Sequence, residues 1–294
     1  MPVTVRMPAK INIALQVGPA RDDGFHELQT VYHAVSLYDL VTVAEQPDGR
    51  GISITCAHED VPADRRNLAW SAAELMARTA HRQPDVAIHI EKGIPVAGGM
   101  AGGSADAAGV LIGLNELWGL QYSKDELQEL AAQIGSDVPF CIGGGTQLGH
   151  GRGELLSPVL AKGTFHWVIA TARAGLSTPS VYQKLDEIRP DAESPHIPED
   201  VMAALRTNDP RALGLVLHND LQAAAIVLKP SLQRTLEAGI EAGALGALVS
   251  GSGPTVVFLV RDAEQATDVQ VGLMSSGFAH EVFVATGPVR PAIV

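Results

Sequence analysis

The chain has 294 residues and a formal net charge of −12 at pH 7; 46% of its residues are hydrophobic and 18% are charged. This length and composition are typical of one large or two ordinary globular domains and exclude a disordered chain. The acidic balance, without any basic cluster, predicts neither a nucleic-acid partner nor an anionic membrane partner. Cys56 and Cys141 lie far apart in sequence and indicate no zinc site or disulfide framework. Because the N-terminus also lacks a signal-peptide pattern, we expect a cytoplasmic protein.

Strands dominate the start of the chain. Short β-like runs are predicted at residues 3–6, 11–17, 32–43 and 52–56. A helical pattern then begins at Asn67 and extends to about His81. Residues 86–90 alternate between apolar and polar, which predicts a half-buried strand before a glycine-rich segment.

That segment is the most informative feature of the sequence. Residues 95–108 read PVAGGMAGGSADAA, with four glycines directly before an apolar helical pattern that runs to Trp118. Glycines let a backbone approach a ligand closely, and the N-terminus of a helix attracts anions, above all phosphate. The segment lacks both the Gly-Lys-Ser/Thr ending of a Walker loop and Gly-x-Gly-x-x-Gly spacing. It therefore predicts a nucleotide phosphate site of another kind; the plain alternative is a flexible turn capped by Ser104.

The remainder mixes helices and strands. Ser123 and Glu126 form a capping-box pattern before a predicted helix at 124–134. A strand at 165–171 begins the second half, which has predicted helices at 178–188, 199–205 and 231–242 and strands at 245–250, 255–260 and 281–285. Residues 242–260 carry no charge and are long enough to span a bilayer, but the Gly-Ser-Gly-Pro in their middle predicts strand, loop and strand. The overall pattern indicates an α+β fold.

Four further segments occur with the glycine-rich loop in a fixed order: PAKINIAL at 8–15, DGFHEL at 23–28, GSDVPF at 135–140 and SGSGPT at 250–255. Together the five resemble the GHMP kinase superfamily. Three of them, PAKINIAL, DGFHEL and GSDVPF, are most similar to the segments of members that phosphorylate a cytidine-diphosphate-linked methylerythritol in the non-mevalonate isoprenoid pathway. The resemblance spans nearly the whole chain. It implies two α+β domains, at residues 1–155 and 156–294, with the active site in the cleft between them.

Two residues match the catalytic pair of that superfamily, Lys10 and Asp137. An isolated lysine beside a β-run is ordinarily solvated, and an aspartate after Gly-Ser is often only a turn residue. By resemblance, Asp137 accepts the proton of the acceptor hydroxyl and Lys10 stabilises the developing charge. Each would also keep the other ionised.

The resemblance also implies a cytidine pocket. Phe25 and Tyr182 match positions whose rings sandwich the cytosine, and His26 matches one that hydrogen-bonds the edge of the base. Asn12 and Thr178 match positions near the diphosphate and the erythritol. The alternative places Phe25 in the core and His26 on the surface, with Asn12 and Thr178 as local caps of the backbone.

On the donor side the resemblance implies ATP and Mg²⁺. Asn67 would contact adenine, although it could simply cap a helix, and Lys92 would approach the nucleotide, although a solvated lysine at a strand end is an equal alternative. Asp106 is expected to face away from the phosphates. Ser104 is the expected metal contact, and the loop residues that would bind ATP are Pro95, Val96, Ala97, Gly98, Gly99, Met100, Ala101, Gly102, Gly103, Ser104 and Ala105.

These observations together predict an ATP-dependent kinase that phosphorylates the 2-hydroxyl of the cytidine-diphosphate-linked alcohol. One alternative is another small-alcohol kinase of the homoserine or mevalonate type, which would not need aromatics at 25 and 182 around His26. A second is a nucleotide-binding module without catalysis, which would tolerate the loss of Lys10 or Asp137.

Overall fold

The computed structural model describes residues 1–96 and 99–294. The chain begins with a long antiparallel hairpin of β1 (Val3–Ala20) and β2 (His26–Glu45). The two strands pair from Val3↔Val43 to Ala20↔His26, with irregularities in the register. The sequence predicted shorter, separate strands here. The hairpin is continuous because β1 is buried along most of its length, so its polar residues Lys10 and Asn12 are inside the protein.

The hairpin is the centre of an eight-stranded sheet. Its main path runs β12-β1-β2-β4-β3, where β3 is Ile52–Cys56, β4 is Val86–Glu91 and β12 is Ala292–Ile293. Three more strands extend it: β5 (Thr146–His150) on β2, β6 (Leu155–Pro158) on β5, and β8 (His218–Asn219) on β1. Because β8 and β12 come from the C-terminal half, that half contributes to the N-terminal sheet.

Four helices accompany this sheet: α1 (Leu68–Thr79), α2 (Gly102–Leu117), α3 (Lys124–Ala132) and α4 (Val138–Gly143). α2 packs very closely on the sheet, since a Cβ on Gly109 would lie 2.8 Å from Val41 and a Cβ on Gly113 would lie 2.8 Å from Val43. The predicted capping box of Ser123 and Glu126 is confirmed. The alternative role of Ser104 as a helix cap is not seen, because α2 begins after Ala101, which has a left-handed φ of 58° and makes no side-chain capping bond.

The second half contains an antiparallel four-stranded sheet in the order β11-β7-β10-β9. Its strands are β7 (Phe165–Ala170), β9 (Gly246–Val249), β10 (Val256–Val260) and β11 (Val282–Gly287). The helices are α5 (Thr178–Ile188), α6 (Glu199–Thr207), α7 (Pro210–Val216), α8 (Leu221–Leu228), α9 (Ser231–Glu241) and α10 (Ala263–Ser276). The sequence pattern did not predict α7, α8 or α10.

Two hydrophobic clusters organise the interior. The larger joins the first sheet and its helices to residues such as Trp167 and Leu248 of the second sheet. The smaller packs the other face of the second sheet, including Phe258, against α5, α8, α9 and α10. The domain boundary at residue 155 stays a prediction; β6 spans that position. Within residues 1–96 and 99–294, no helix is both long enough and apolar enough to cross a membrane.

Candidate active site

A cavity of about 710 Å³ lies between the first hairpin, the start of α2, the start of α4, helix α5 and the loop after β9. The structure thus brings together residues that the sequence placed in five separate segments. The predicted site residues that line the cavity are Lys10, Asn12, Phe25, His26, Gly99, Ala101, Ser104, Asp137, Thr178 and Tyr182.

Lys10 and Asp137 form an ion pair on the cavity wall. The Lys10 Nζ lies 3.3 Å from Asp137 Oδ2, and the side chains are 6% and 34% exposed. Lys10 projects from β1, whereas Asp137 immediately precedes α4 and caps no backbone group with its side chain. The carboxylate is therefore the open member of the pair. The alternative of a solvated lysine is inconsistent with this geometry. Asp137 does lie in the turn that the Val138 N–H closes onto the Gly135 carbonyl, but its side chain lines the cavity.

A chain of polar contacts fixes Lys10 from behind. Its Nζ donates to Asn12 Oδ1 at 3.1 Å, and Asn12 Nδ2 donates to the Thr30 hydroxyl at 2.7 Å. Thr30 in turn donates to the Ala14 carbonyl, and the Asn12 backbone N–H donates to Ser250 Oγ at 3.1 Å. Asn12 thus orients the lysine and ties β1 to the loop after β9.

Tyr32 belongs to the same cluster but was not predicted. Its ring packs on Phe140 with centroids 5.0 Å apart, and Lys10 Nζ lies 5.1 Å from its centroid. Burial, followed by the nearby Asp137 charge, raises the pKa of the Tyr32 phenol well above its ordinary value. A Cβ on Gly153 would fall 2.1 Å from the phenol oxygen, so a glycine is needed there. In sequence, Tyr32 looks like an ordinary core aromatic in an apolar strand.

The glycine-rich loop approaches this pair from the other side. The Lys10 backbone N–H donates to the Met100 carbonyl at 3.1 Å. Gly99 has a φ of +70°, and a Cβ there would lie 2.7 Å from the Gly253 carbonyl oxygen, so the loop packs directly on the loop after β9. A Cβ on Gly103 would meet nothing within 4 Å, which leaves the first turn of α2 open. Ser104 lines the cavity two residues into α2.

The other loop residues differ in position. Ala105 and Met100 are buried, and Gly102 lies against Lys92. Pro95 and Val96 precede the cavity-lining part of the loop. Ala97 and Gly98 lie outside the described residues. The ATP contacts predicted for the loop stay predictions.

Lys92 is neither solvated nor on the cavity wall. Its Nζ donates to Asp39 and to Asp106, the latter at 2.9 Å, and its side chain is 7% exposed. Burial would lower the pKa of Lys92, but the two carboxylates outweigh burial and raise it. Burial raises the pKa of the Asp106 carboxyl to about 7 despite the lysine beside it. Asp106 lies in the interior, away from the cavity lining.

Asn67 is the N-cap of α1. Its Oδ1 accepts from the Ala69 N–H at 2.9 Å and its Nδ2 donates to the Pro62 carbonyl at 2.8 Å. The helix-cap alternative therefore describes its present contacts. A contact with adenine stays a prediction, and Asn67 does not line the cavity.

The far end of the cavity carries the aromatic group. His26 is 8% exposed and its ring lies 5.1 Å from that of Tyr182, centroid to centroid. Its Nε2 is 2.8 Å from Asp186 Oδ1, one turn further along α5 from Tyr182. Phe25 is 51% exposed, with the Arg152 guanidinium 4.9 Å from its centroid. The alternative of a core Phe25 and a surface His26 is thus reversed. Asp186 and Arg152 were missed because nothing local in sequence marks them.

Thr178 closes the cavity between these two ends. It is the first residue of α5, and its hydroxyl is 2.8 Å from that of Ser252 in the loop after β9. This contact ties α5, which carries Tyr182 and Asp186, to the loop that also holds Asn12 through Ser250. The helix, the loop and β1 therefore form one connected frame.

Residues 1–96 and 99–294 contain no group of three or more His, Cys, Asp or Glu side chains placed to hold a metal. A Mg²⁺ ion in a kinase needs no such cage, since it keeps several waters and is bound largely through substrate phosphates. The Ser104 hydroxyl, which faces the cavity at the start of α2, fits a contact of this kind. The metal role of Ser104 stays a prediction.

Comparison with known proteins agrees with this arrangement. The models for the GHMP kinases N terminal domain and the GHMP kinases C terminal domain match residues 67–145 and 201–279. The fold is that of a GHMP kinase, as the sequence predicted.

The similar relatives show to which family of GHMP kinases the chain belongs. A 4-diphosphocytidyl-2-C-methyl-D-erythritol kinase of Rhodococcus jostii is 54% identical, covering 99% of this chain and 94% of its own. One of Mycolicibacterium smegmatis is 56% identical, covering 99% and 92%. A crystal structure of 4-(cytidine 5'-diphospho)-2C-methyl-D-erythritol kinase has a TM-score of 0.80 at 31% identity, over 96% of this chain and 98% of that one. The chain belongs to the 4-diphosphocytidyl-2-C-methyl-D-erythritol kinase family.

Proposed function

We propose that the protein transfers the γ-phosphoryl group of ATP to the 2-hydroxyl of 4-diphosphocytidyl-2-C-methyl-D-erythritol. The observation that carries this proposal is a single cavity with chemistry at one end and base recognition at the other. Lys10, Asp137 and the start of α2 occupy the first end, and Phe25, His26 and Tyr182 occupy the second. A substrate with a nucleobase, a diphosphate and a polyol matches this order of groups.

The chemical step follows from the Lys10–Asp137 pair. The half-open Asp137 carboxylate accepts the proton of the 2-hydroxyl as its oxygen attacks the γ-phosphorus and the bond to the β-phosphate oxygen of ATP breaks. Lys10, held by Asn12, stabilises negative charge on the attacking oxygen and the transferring group. The buried ring of Tyr32 packs beside this pair, with Lys10 Nζ 5.1 Å from its centroid. Phosphoryl transfer depends mostly on such positioning and electrostatics.

At the end of the cavity where ATP would bind, the phosphates are held by backbone N–H groups rather than by charged side chains. The first turn of α2, which is open at Gly103, offers N–H groups and the positive end of a 16-residue helix dipole to the phosphates. Mg²⁺ bound there through the phosphates and the Ser104 hydroxyl would neutralise charge on the transferring group.

Base specificity follows from the pairing of His26 with Asp186. If the carboxylate accepts a hydrogen bond from Nε2–H, the neutral imidazole has its lone pair on Nδ1. That tautomer accepts a hydrogen bond from the exocyclic amino group of cytosine, whereas uracil presents a carbonyl there. Tyr182, packed on His26, and the exposed ring of Phe25 supply the stacking faces.

Product analysis tests the proposal. The purified protein is incubated with Mg²⁺-ATP and, separately, with the cytidine-diphosphate-linked alcohol, homoserine or mevalonate. We expect ADP and a new phosphate ester on the 2-hydroxyl of the first substrate, identified by ³¹P NMR and mass spectrometry. Turnover of homoserine or mevalonate alone would favour the other small-alcohol kinases. Nucleotide binding without any product would favour the non-catalytic module.

The predicted cytoplasmic location rests on the cysteines and the N-terminal sequence, and the predicted absence of nucleic-acid and membrane partners rests on the charge; both stay predictions. They are consistent with a small-molecule substrate whose phosphates are held locally rather than by a basic surface.

A further inference from the structure

Three buried charges lie beneath the nucleotide loop and outside the cavity. Lys92 follows β4, Asp39 lies in β2 and Asp106 lies in the second turn of α2. Asp39 is fully buried, and the side chains of Lys92 and Asp106 are 7% and 3% exposed. Buried ion pairs are costly to desolvate and are weak evidence for stability in themselves. The arrangement therefore calls for another reason.

The position of the cluster supplies that reason. Asp39 Oδ1 accepts from the backbone N–H groups of Gly93 and Ile94, at 2.8 and 2.9 Å, and its Oδ2 accepts from Lys92 Nζ. These bonds fix the segment that enters the glycine-rich loop. A Cβ on Gly93 would lie 2.3 Å from the Tyr38 carbonyl oxygen, so this entry strand is pressed against β2.

The same lysine fixes the exit of the loop. Its Nζ donates to Asp106 Oδ2 at 2.9 Å, and a Cβ on Gly102 would lie 3.2 Å from that Nζ. Through Asp39 on one side and Asp106 on the other, one ammonium group thus links the two stems of the segment between Ile94 and Gly102. The remaining oxygen of Asp106, Oδ1, is buried and has no hydrogen-bond partner, so Lys92 is its carboxylate's partner here.

We propose that Lys92 is a positioning residue that clamps the two stems of the nucleotide loop through Asp39 and Asp106, rather than a residue that contacts ATP. The clamp holds the first turn of α2 in place before the nucleotide arrives. The free energy of nucleotide binding is therefore not reduced by the cost of ordering the loop. The role rests on the proposed use of this loop for ATP, but the state of the loop can be measured without any substrate.

The test compares Lys92→Met and Asp106→Leu with the conservative Asp106→Asn, which keeps an oxygen opposite Lys92. Hydrogen exchange of the amides from Gly99 to Ser104 is measured in the nucleotide-free protein, and KM is measured for ATP and for the cytidine-linked alcohol. We expect faster exchange in Lys92→Met and Asp106→Leu, with KM for ATP raised about tenfold or more and a much smaller change for the alcohol. Asp106→Asn should restore both quantities toward the parent.

Lys162→Met, at an exposed lysine away from the cavity, is the matched control and should change neither quantity. Raised KM for ATP with unchanged exchange would show a direct ATP contact and overturn the proposal. Faster exchange with unchanged KM would show a purely structural role and overturn it too. If Lys92→Met does not fold, the Asp106 pair decides alone. Failure of the phosphorylation assay itself would leave the exchange result intact and would count against the proposed function only.

Discussion

Lys10 and Lys92 both have acidic partners, and the surroundings of these two lysines differ sharply. Lys10 pairs with Asp137, whose side chain is 34% exposed to the cavity. Lys92 pairs with Asp39 and Asp106, whose side chains are 0% and 3% exposed. A carboxylate must reach the substrate to accept its proton, so only Asp137 can act as a base. The buried group of Lys92, Asp39 and Asp106 can act only on the protein, by holding two segments of backbone together.

The largest expected effect tests the open pair. Asp137→Asn keeps the size of the side chain but removes its charge and basicity, so turnover should fall by about 10²–10⁴ with substrate binding largely kept. Lys10→Met should have a similar effect. Single-turnover rates at saturating substrate measure both changes, and Asp125→Asn on the exposed surface of α3 is the control. A near-parent rate in Asp137→Asn would remove that residue from the chemistry.

The next prediction concerns the loop that lies between the two lysines. In Gly103→Val the new side chain would enter open space in the free protein, so folding should be preserved. It would occupy the path of the phosphates, and KM for ATP should rise by about 10- to 100-fold, or roughly 1.4–2.8 kcal/mol. Ala132→Val, at an exposed position ending α3, controls for adding a β-branched residue to a helix. Unchanged ATP affinity in the folded variant would rule out phosphate binding at this turn.

The aromatic end of the cavity gives smaller, separable effects. Phe25→Leu should weaken cytidine and uridine substrates alike by about 1–3 kcal/mol, because every base has a face on which to stack. Loss of Tm without loss of affinity would instead make Phe25 a structural residue.

His26→Ala should reduce the preference for cytidine over uridine, which we expect to be worth about 1–3 kcal/mol. Asp186→Ala should also reduce it, because the imidazole tautomer is then no longer fixed. The ratio of kcat/KM for the two substrates measures this preference. If both variants keep the parent ratio, the His26 edge does not read the base.

The Lys10 pair and the Lys92 group also show which contacts could be predicted from the sequence and which could not. Lys10, Asp137 and the glycine-rich loop stand in recognisable segments, so their meeting could be predicted. Asp39 could not be placed beside Lys92, because their contact depends on the Leu40↔Glu91 register of β2 and β4, across about fifty residues of chain. The first residue of α2 could not be predicted, because Ser104 is a good cap in sequence, whereas the backbone turns at Ala101 with a positive φ. Tyr32 was missed because Phe140, on which its ring packs, is remote in sequence.

The smallest expected effect concerns His33, which is buried without a charged partner among the described residues. His33 is fully buried between Phe165 and Trp167, and burial lowers its pKa to about 3. Its folded-state pKa lies below the unfolded value, so its contribution to stability is complete above about pH 6.5 and is lost as the pH falls toward 3. Urea unfolding should show a loss on the order of 1–2 kcal/mol between pH 6.5 and 5. His33→Gln should flatten that slope, whereas His89→Gln, at a half-exposed histidine, should not.

In the proposed reaction, one substrate spans both ends of the cavity. The direct measurement is kcat/KM for the cytidine-diphosphate-linked alcohol against the same methylerythritol phosphate without its cytidylyl group, at fixed Mg²⁺-ATP. We predict that removing the cytidylyl group lowers kcat/KM by at least about 100-fold, because stacking and edge recognition are lost together. We further predict that this penalty largely disappears in Phe25→Leu/His26→Ala. Equal kcat/KM for the two alcohols in the parent protein would contradict the account.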